Sequence, residues 1–193
     1  VAYDATAPTV TILGVSNGDI QFNSDEAGTA EVDGSSNNTG INVTIGTNTF
    51  TPMAETSDVA TGTLNVTDAA GNTGISTDLS LVGVGTSSDD LTGLTGSPDD
   101  DFFFLFGGAD TVRGRSGADT IDLGSTGGTH GDSAADEVRY ASSGDGSATL
   151  DRSVNATDAD IVTNFEQGMD VLQIGGPLKI ALVHGGSVEG TDA

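Results

Sequence analysis

The chain has 193 residues, a formal net charge of -24 from 29 Asp and Glu against 5 Lys and Arg, and neither Cys nor Trp. That balance makes nucleic acid a poor partner, because phosphate recognition needs clustered basic groups. The lack of cysteine excludes disulfides, zinc–thiolate sites, iron–sulfur clusters and thiol nucleophiles, and no apolar run reaches the length of a membrane span. A chain this acidic repels itself when compact unless its charge is neutralised. A bound cation and a salt-adapted acidic surface both fit that composition. With 29 Gly, 4 Pro and 5% aromatics, the chain must turn often and tightly, and small or β-branched residues must fill much of its core. It begins at Val1 and shows no signal peptide, as expected of a processed or excised segment.

Residues 1–84 read as short strands separated by turn signals, in "TVTILGV", "GDIQFNSDE", "GTAEVDG", "GINVTIGTNTF", "ATGTLNVTD" and "NTGISTDLSLV". Alternation is clear at Ile20-Gln21-Phe22 and Leu64-Asn65-Val66, and helical periodicity is absent. Strands at this spacing predict a β-sandwich. The segments "DATAPTVTI" (Asp4–Ile12) and "VTDAAGNTG" (Val66–Gly74) resemble the opening and closing strands of a bacterial immunoglobulin-like repeat of the kind found in large surface adhesins. The resemblance implies calcium at a domain end, held by Asp4 and Asp68 with Asp25 and Glu26. The alternative is that Asp68 opens a hairpin turn through Gly71 and Asn72 while Asp4 is simply exposed. Residues 85–90, within "GVGTSSDD", are expected to be a linker made flexible by Gly and Ser, whose two acids, Asp89 and Asp90, could bind a cation that stiffens it.

From Leu91 the texture changes. "GGADTVRGR" is followed by "SGADTIDLG", so Asp110 and Asp119, Gly108 and Gly117, and Val112 and Ile121 match at a spacing of nine. One step back lie Asp101 and Phe103, and "GDSAADEVR" from Gly131 puts Asp136 and Val138 in the same roles. This resembles the RTX nonapeptide repeat, which forms a parallel β-roll and binds calcium. The resemblance implies a turn and a short strand per repeat, and two repeats per coil. Asp101 then stacks near Asp119, and calcium relieves the repulsion between carboxylates with the hard-oxygen coordination it prefers. Asp99, Asp101, Asp110, Asp119 and Asp136 are the expected ligands, for two to four ions. Defects are visible: Arg115 stands at a usual Gly, Leu105 and Phe106 replace a Gly pair, Asp99 replaces a turn Gly, and Asp110 finds Gly128 rather than Asp eighteen residues on.

The roll is expected over 91–140 and a capping segment over 141–193. Within the latter, "DADIVTNFEQGMDVLQI" (Asp158–Ile174) resembles the segment that follows RTX repeats in proteins exported by type I secretion, and "PLKIALV" (Pro177–Val183) reads as a closing strand. Catalysis finds little support. There are two histidines, His130 and His184, with no H-E-x-x-H and no G-x-S-x-G.

Phe103 is expected inside the roll, with Phe102 and Phe104 outward and Phe106 in a turn. Either another part of the chain covers these three, or they form a protein contact. The combined expectation is an all-β chain, an Ig-like β-sandwich followed by a short parallel β-roll with a β cap. It would be a secreted or cell-surface bacterial protein without a membrane span, serving as a calcium-binding surface-layer, matrix or adhesin module. It would self-associate through calcium and the Phe102–Phe106 region, with cell-surface glycans as a further partner. The alternative function is a C-terminal secretion and stabilising module of an exported hydrolase such as a protease or lipase.

Overall fold

A computed structural model describes residues 4–16, 18–76, 81–124, 131–140 and 160–174. Among these the chain is all-β: every regular element is a strand, and no helix is long and apolar enough to cross a membrane. The first eight strands are β1 (Val10–Ser16), β2 (Asp19–Ser24), β3 (Gly28–Val32), β4 (Ile41–Val43), β5 (Gly46–Phe50), β6 (Ala60–Gly62), β7 (Leu64–Asp68) and β8 (Thr73–Ile75). They form two antiparallel sheets, β1-β2-β5 and β4-β3-β7-β8, while β6 joins a third.

The alternation seen in sequence is the alternation of burial. In β2, Ile20 and Phe22 point inward and Asn23 outward. In β7, Leu64 and Val66 point inward between half-buried neighbours. Phe22 and Phe50 from one sheet meet Val32, Leu64 and Val66 from the other in a single core. Full burial of each such side chain is worth about 1.5–3 kcal/mol. At Gly74 in β8 the Pro8 carbonyl lies where a Cβ would stand, so only glycine lets the N-terminal segment run this close to the sheet.

The remaining strands are β9 (Leu81–Val84), β10 (Leu94–Thr95), β11 (Asp101–Phe104), β12 (Thr111–Arg113), β13 (Thr120–Asp122), β14 (Glu137–Tyr140), β15 (Ile161–Thr163) and β16 (Val171–Ile174). The chain alternates between two sheets. Of these the odd strands, joined by β6, form β15-β13-β11-β9-β6, parallel except where β9 meets β6, and the even strands form the parallel sheet β10-β12-β14-β16. Register places Phe103 beside Ile121 and Ile121 beside Val162, with Val112 beside Val138 and Val138 beside Leu172. These apolar residues, with Leu94, Leu105 and Leu123, fill a second core between the two parallel sheets. Its strands are only two to four residues long, too short to stand alone, so each coil depends on its neighbours.

Two expectations are corrected. Residues 85–90 are not a flexible linker. The Gly85 carbonyl accepts from Glu55 N–H at 2.8 Å, Thr86 bridges to Glu55, and Thr86 and Asp90 are buried. Moreover β9, expected to close the first unit, pairs with β6 on one side and β11 on the other. The second correction concerns self-association through the phenylalanines; of the two alternatives for them, cover by another part of the chain is the one the structure has. Phe103 lies in the second core as expected, but Phe102 and Phe104 are buried in the first, against the antiparallel sheets, with Phe106 packed at its margin. The surface expected to drive self-association is therefore interior to this chain. Period-2 alternation assigns Phe102 and Phe104 to the other face of β11, and the antiparallel sheets cover that face.

Of the capping segment, β15 and β16 extend the two parallel sheets. The closing strand expected over 177–183 lies outside the described residues, as do His130 and His184.

Candidate metal centre

Each coil passes through turns that end in a buried aspartate, and these aspartates form two ladders. On one edge Asp90 N–H donates to Asp110 Oδ1 at 2.7 Å, Asp110 N–H to Asp136 Oδ1 at 2.9 Å, and Asp136 N–H to Asp170 Oδ1 at 3.1 Å. On the other, Asp101 N–H donates to Asp119 Oδ1 at 3.1 Å and Asp119 N–H to Asp160 Oδ1 at 3.0 Å. The period is 18 residues only from Asp101 to Asp119; it is 26 from Asp110 to Asp136 and 41 from Asp119 to Asp160. The ladder thus survives where the sequence period does not, and Asp136 takes the place expected to fall to Gly128.

The turns are stitched at the surface by a second set of acids. Asp89 Oδ1 accepts from Ala109 N–H at 2.9 Å and Asp100 Oδ1 from Ala118 N–H at 2.8 Å. Asp132 Oδ2 accepts from Gly108 N–H at 2.9 Å, and Glu166 Oε2 from Ser133 N–H at 2.7 Å. Adjacent aspartates such as Asp100 and Asp101 therefore do different things, one outside the turn and one inside.

The second oxygen of the ladder carboxylates divides five of the seven turns into two kinds, and the turns ending in Asp136 and Asp160 belong to neither. In three turns the residue four positions earlier supplies it. Thr86 N–H donates to Asp90 Oδ2, Ser97 N–H to Asp101 Oδ2 and Glu166 N–H to Asp170 Oδ2, each at 2.6 Å. The Thr86 and Ser97 hydroxyls add bonds to the Oδ1 atoms at 3.0 and 2.9 Å. We call these turns closed. In the turns before Asp110 and Asp119 the corresponding residues are Phe106 and Arg115, both with positive φ, 71° and 78°. Asp110 Oδ2 and Asp119 Oδ2 are buried and have no hydrogen-bond partner among the described residues. These turns are open. A left-handed non-glycine residue is uncommon, and a buried polar atom without a partner calls for an explanation such as an ion.

The electrostatics follow from this division. Burial pushes the Asp110 carboxyl up to about 8, aided by the charges of Asp136 and Asp90. Burial likewise pushes Asp119 up to about 8, aided by Asp160 and Asp101. Asp136 is raised by burial to about 7. Asp101, equally buried but supplied by Ser97, is raised only to about 6. At neutral pH the open turns either hold a proton or need a cation. Gly114 lies against Asp119 Oδ2 so closely that a Cβ would overlap it, so that turn admits no larger residue without moving the carboxylate.

The antiparallel sheets hold their acids differently. Glu55 is buried, yet it accepts from the Ser35 hydroxyl, from Ser36 N–H at 3.1 Å, from the Ser36 hydroxyl at 2.6 Å and from Asn38 Nδ2 at 3.0 Å. Burial raises its carboxyl, but these bonds outweigh burial and lower it overall. At the end of β7, Asp68 accepts from Asn72 Nδ2, Asn72 N–H and Ala70 N–H, each at 2.8 Å, and its carboxyl is held low chiefly by Asn72. The hairpin turn through Gly71 and Asn72 is present, closed by Gly71 N–H on the Asp68 carbonyl at 3.2 Å. The same turn brings Asp4, Glu26 and Asp68 together, with one oxygen of each within 4.8 Å of the others, a set that could hold a metal. Burial and then the charges of Asp4, Asp68 and Asp25 raise the Glu26 carboxyl. Asp25 stands apart, accepting from Thr9 N–H at 2.6 Å.

Of the residues singled out in sequence, Asp101, Asp110, Asp119 and Asp136 lie in the ladders, and Asp4 and Asp68 lie together at the far site. Asp99 is exposed and outside the ladder. Sequence reading missed Asp90, Asp160 and Asp170 as ladder members. For Asp90 a signal was available. A glycine stands five residues before Asp90, Asp101, Asp119 and Asp136, at Gly85, Gly96, Gly114 and Gly131. Comparison with protein-family profiles, characterised proteins and solved structures finds no match to this chain.

Proposed function

We propose that the chain is an extracellular calcium-binding structural module of a surface layer, matrix or adhesin. In this reading a bacterial immunoglobulin-like sandwich is followed by a short RTX-type β-roll and the start of a type I secretion cap. Calcium entering the acidic turns neutralises them and completes the fold. The observation that carries the reading is the pair of aspartate ladders with two buried carboxylate oxygens left without donors among the described residues. Buried unpaired charge is costly, and a divalent cation removes that cost. The unpartnered groups at the open turns are carboxylate oxygens, which suit a hard cation such as calcium rather than zinc or copper.

Extracellular modules bind calcium at about 10⁻⁴–10⁻³ M. The chain would therefore stay incompletely folded at low internal calcium and fold outside the cell, because metal binding and folding are coupled. Chains associate through calcium on their acidic faces, not through Phe102–Phe106. The test is calorimetry and circular dichroism of the full chain in calcium and in EGTA, with sedimentation alongside. Calcium is expected to raise the melting temperature and strengthen strand signal from the parallel stack. Identical melting curves in calcium and EGTA overturn the proposal.

A further inference from the structure

The ladders contain seven carboxylates, which repetition alone would treat as equivalent sites. Their surroundings are not equivalent. In the closed turns the i−4 residue donates to Oδ2 at 2.6 Å before Asp90, Asp101 and Asp170. None of those three donors has positive φ, whereas Phe106 and Arg115, four residues before Asp110 and Asp119, both do. No bond runs from Phe106 or Arg115 N–H to these carboxylates among the described residues, and Asp110 Oδ2 and Asp119 Oδ2 are the ladder oxygens left buried and unpartnered there. The two carboxylates are on different ladders, so one ion cannot serve both.

We propose that the ladders take two calcium ions, one at the open turn ending in Asp110 and one at the open turn ending in Asp119, while the closed turns ending in Asp90, Asp101 and Asp170 hold their form without metal. The inference rests on the calcium reading and narrows it. Thr86 and Ser97 do in their turns what the ion does in the others. The first coil, whose Phe102 and Phe104 pack into the antiparallel core, is then a metal-independent platform on which the calcium-dependent coils assemble. Asp101, a leading ligand candidate by repeat position, becomes a supporting residue.

Native mass spectrometry of the full chain with calcium chloride counts the ions. Glu26→Gln serves as background, so that an ion held by Asp4, Glu26 and Asp68 is not counted. The ladders are expected to hold two ions. Asp110→Asn and Asp119→Asn should each lose one, and Asp101→Asn should keep both. Arg115→Ser decides the matter if loss of a buried carboxylate unfolds the stack. Arg115 is exposed, and serine there, once it takes the non-positive φ of Ser97, brings its N–H to Asp119 Oδ2 and its hydroxyl to Oδ1 as Ser97 does at Asp101. This variant should bind one ion and melt a few degrees higher than the parent in EGTA. Three or more ions, an ion lost on Asp101→Asn, or two ions retained by Arg115→Ser overturn the partition and leave the calcium reading standing. No ion at millimolar calcium in the parent overturns both.

Discussion

Glu55 in the antiparallel region and Asp119 in the parallel stack are both buried carboxylates, but they are held by opposite means. Glu55 is ringed by Ser35, Ser36 and Asn38, whose donors lower its carboxyl despite burial. Asp119 accepts one backbone bond, keeps one oxygen without a partner among the described residues, and is pushed up to about 8. Asp119 lies deeper, yet at Glu55 the donors reverse the direction that burial alone would give. The same contrast recurs inside the stack, where Asp101 with Ser97 differs from Asp119 with Arg115. A carboxylate with local donors is a finished structural element, and one without them depends on something from solution.

The largest effect that would break this comparison is calcium removal. Each ion at a hundredfold excess over its dissociation constant adds about 2.7 kcal/mol. Two ions should therefore shift the melting temperature by roughly 10–20 °C for a chain this size. Hydrogen exchange in EGTA should lose protection over 106–122 and 136–140 and retain it around Glu55 and β9. Uniform loss would erase the distinction.

The pH dependence of the metal-free chain comes next. Asp101, Asp110, Asp119 and Asp136 have folded values above 3.8. The folded state thus binds more protons than the unfolded state between about pH 4 and 8, and stability falls as pH rises through that window. Each tenfold difference in proton affinity between the two states corresponds to about 1.4 kcal/mol, so the decline should be several kcal/mol in EGTA. It should be reduced in calcium, with protons released on binding. Denaturant titrations across this range, with and without calcium, check both statements.

Glu55→Ala sharpens the other side. It strands buried donors on Ser35 and Asn38 and should cost roughly 2–4 kcal/mol, by the same amount in calcium and in EGTA. Gly114→Ala crowds Asp119 Oδ2 and should cost about 1–3 kcal/mol by overpacking, with a weaker calcium transition measured by calorimetry. The smallest effect belongs to Arg115→Gly. It relieves a left-handed non-glycine residue and should stabilise by about 1 kcal/mol or less while keeping its ion, in contrast to Arg115→Ser.

Much of the stack was legible in sequence. The repeat of Gly-Ala-Asp-Thr put Asp110 and Asp119, and Val112 and Ile121, in equivalent places because short strands and tight turns constrain both residue type and spacing. Asp90 was hidden because its neighbours Ser87, Ser88 and Asp89 have linker composition, and its step to Asp110 is 20 residues rather than 18. Phe102 and Phe104 could be assigned to a face of β11, but local alternation carries no information about what covers that face. Phe106 and Arg115 were visible as departures from glycine. That they mark the turns without an i−4 donor depends on backbone torsion, which the residue names do not reveal.

The strand β9 hydrogen-bonds to β6 and β11 at once, and its Val82 and Val84 belong to the antiparallel core. Modularity is the casualty. A fragment cut at residue 84 keeps β9 but strips away Phe102 and Phe104, opening a hydrophobic wound in the first core. A fragment beginning at residue 85 loses the parallel sheet's first strand. The two halves can be shuffled, swapped or transplanted only as a pair.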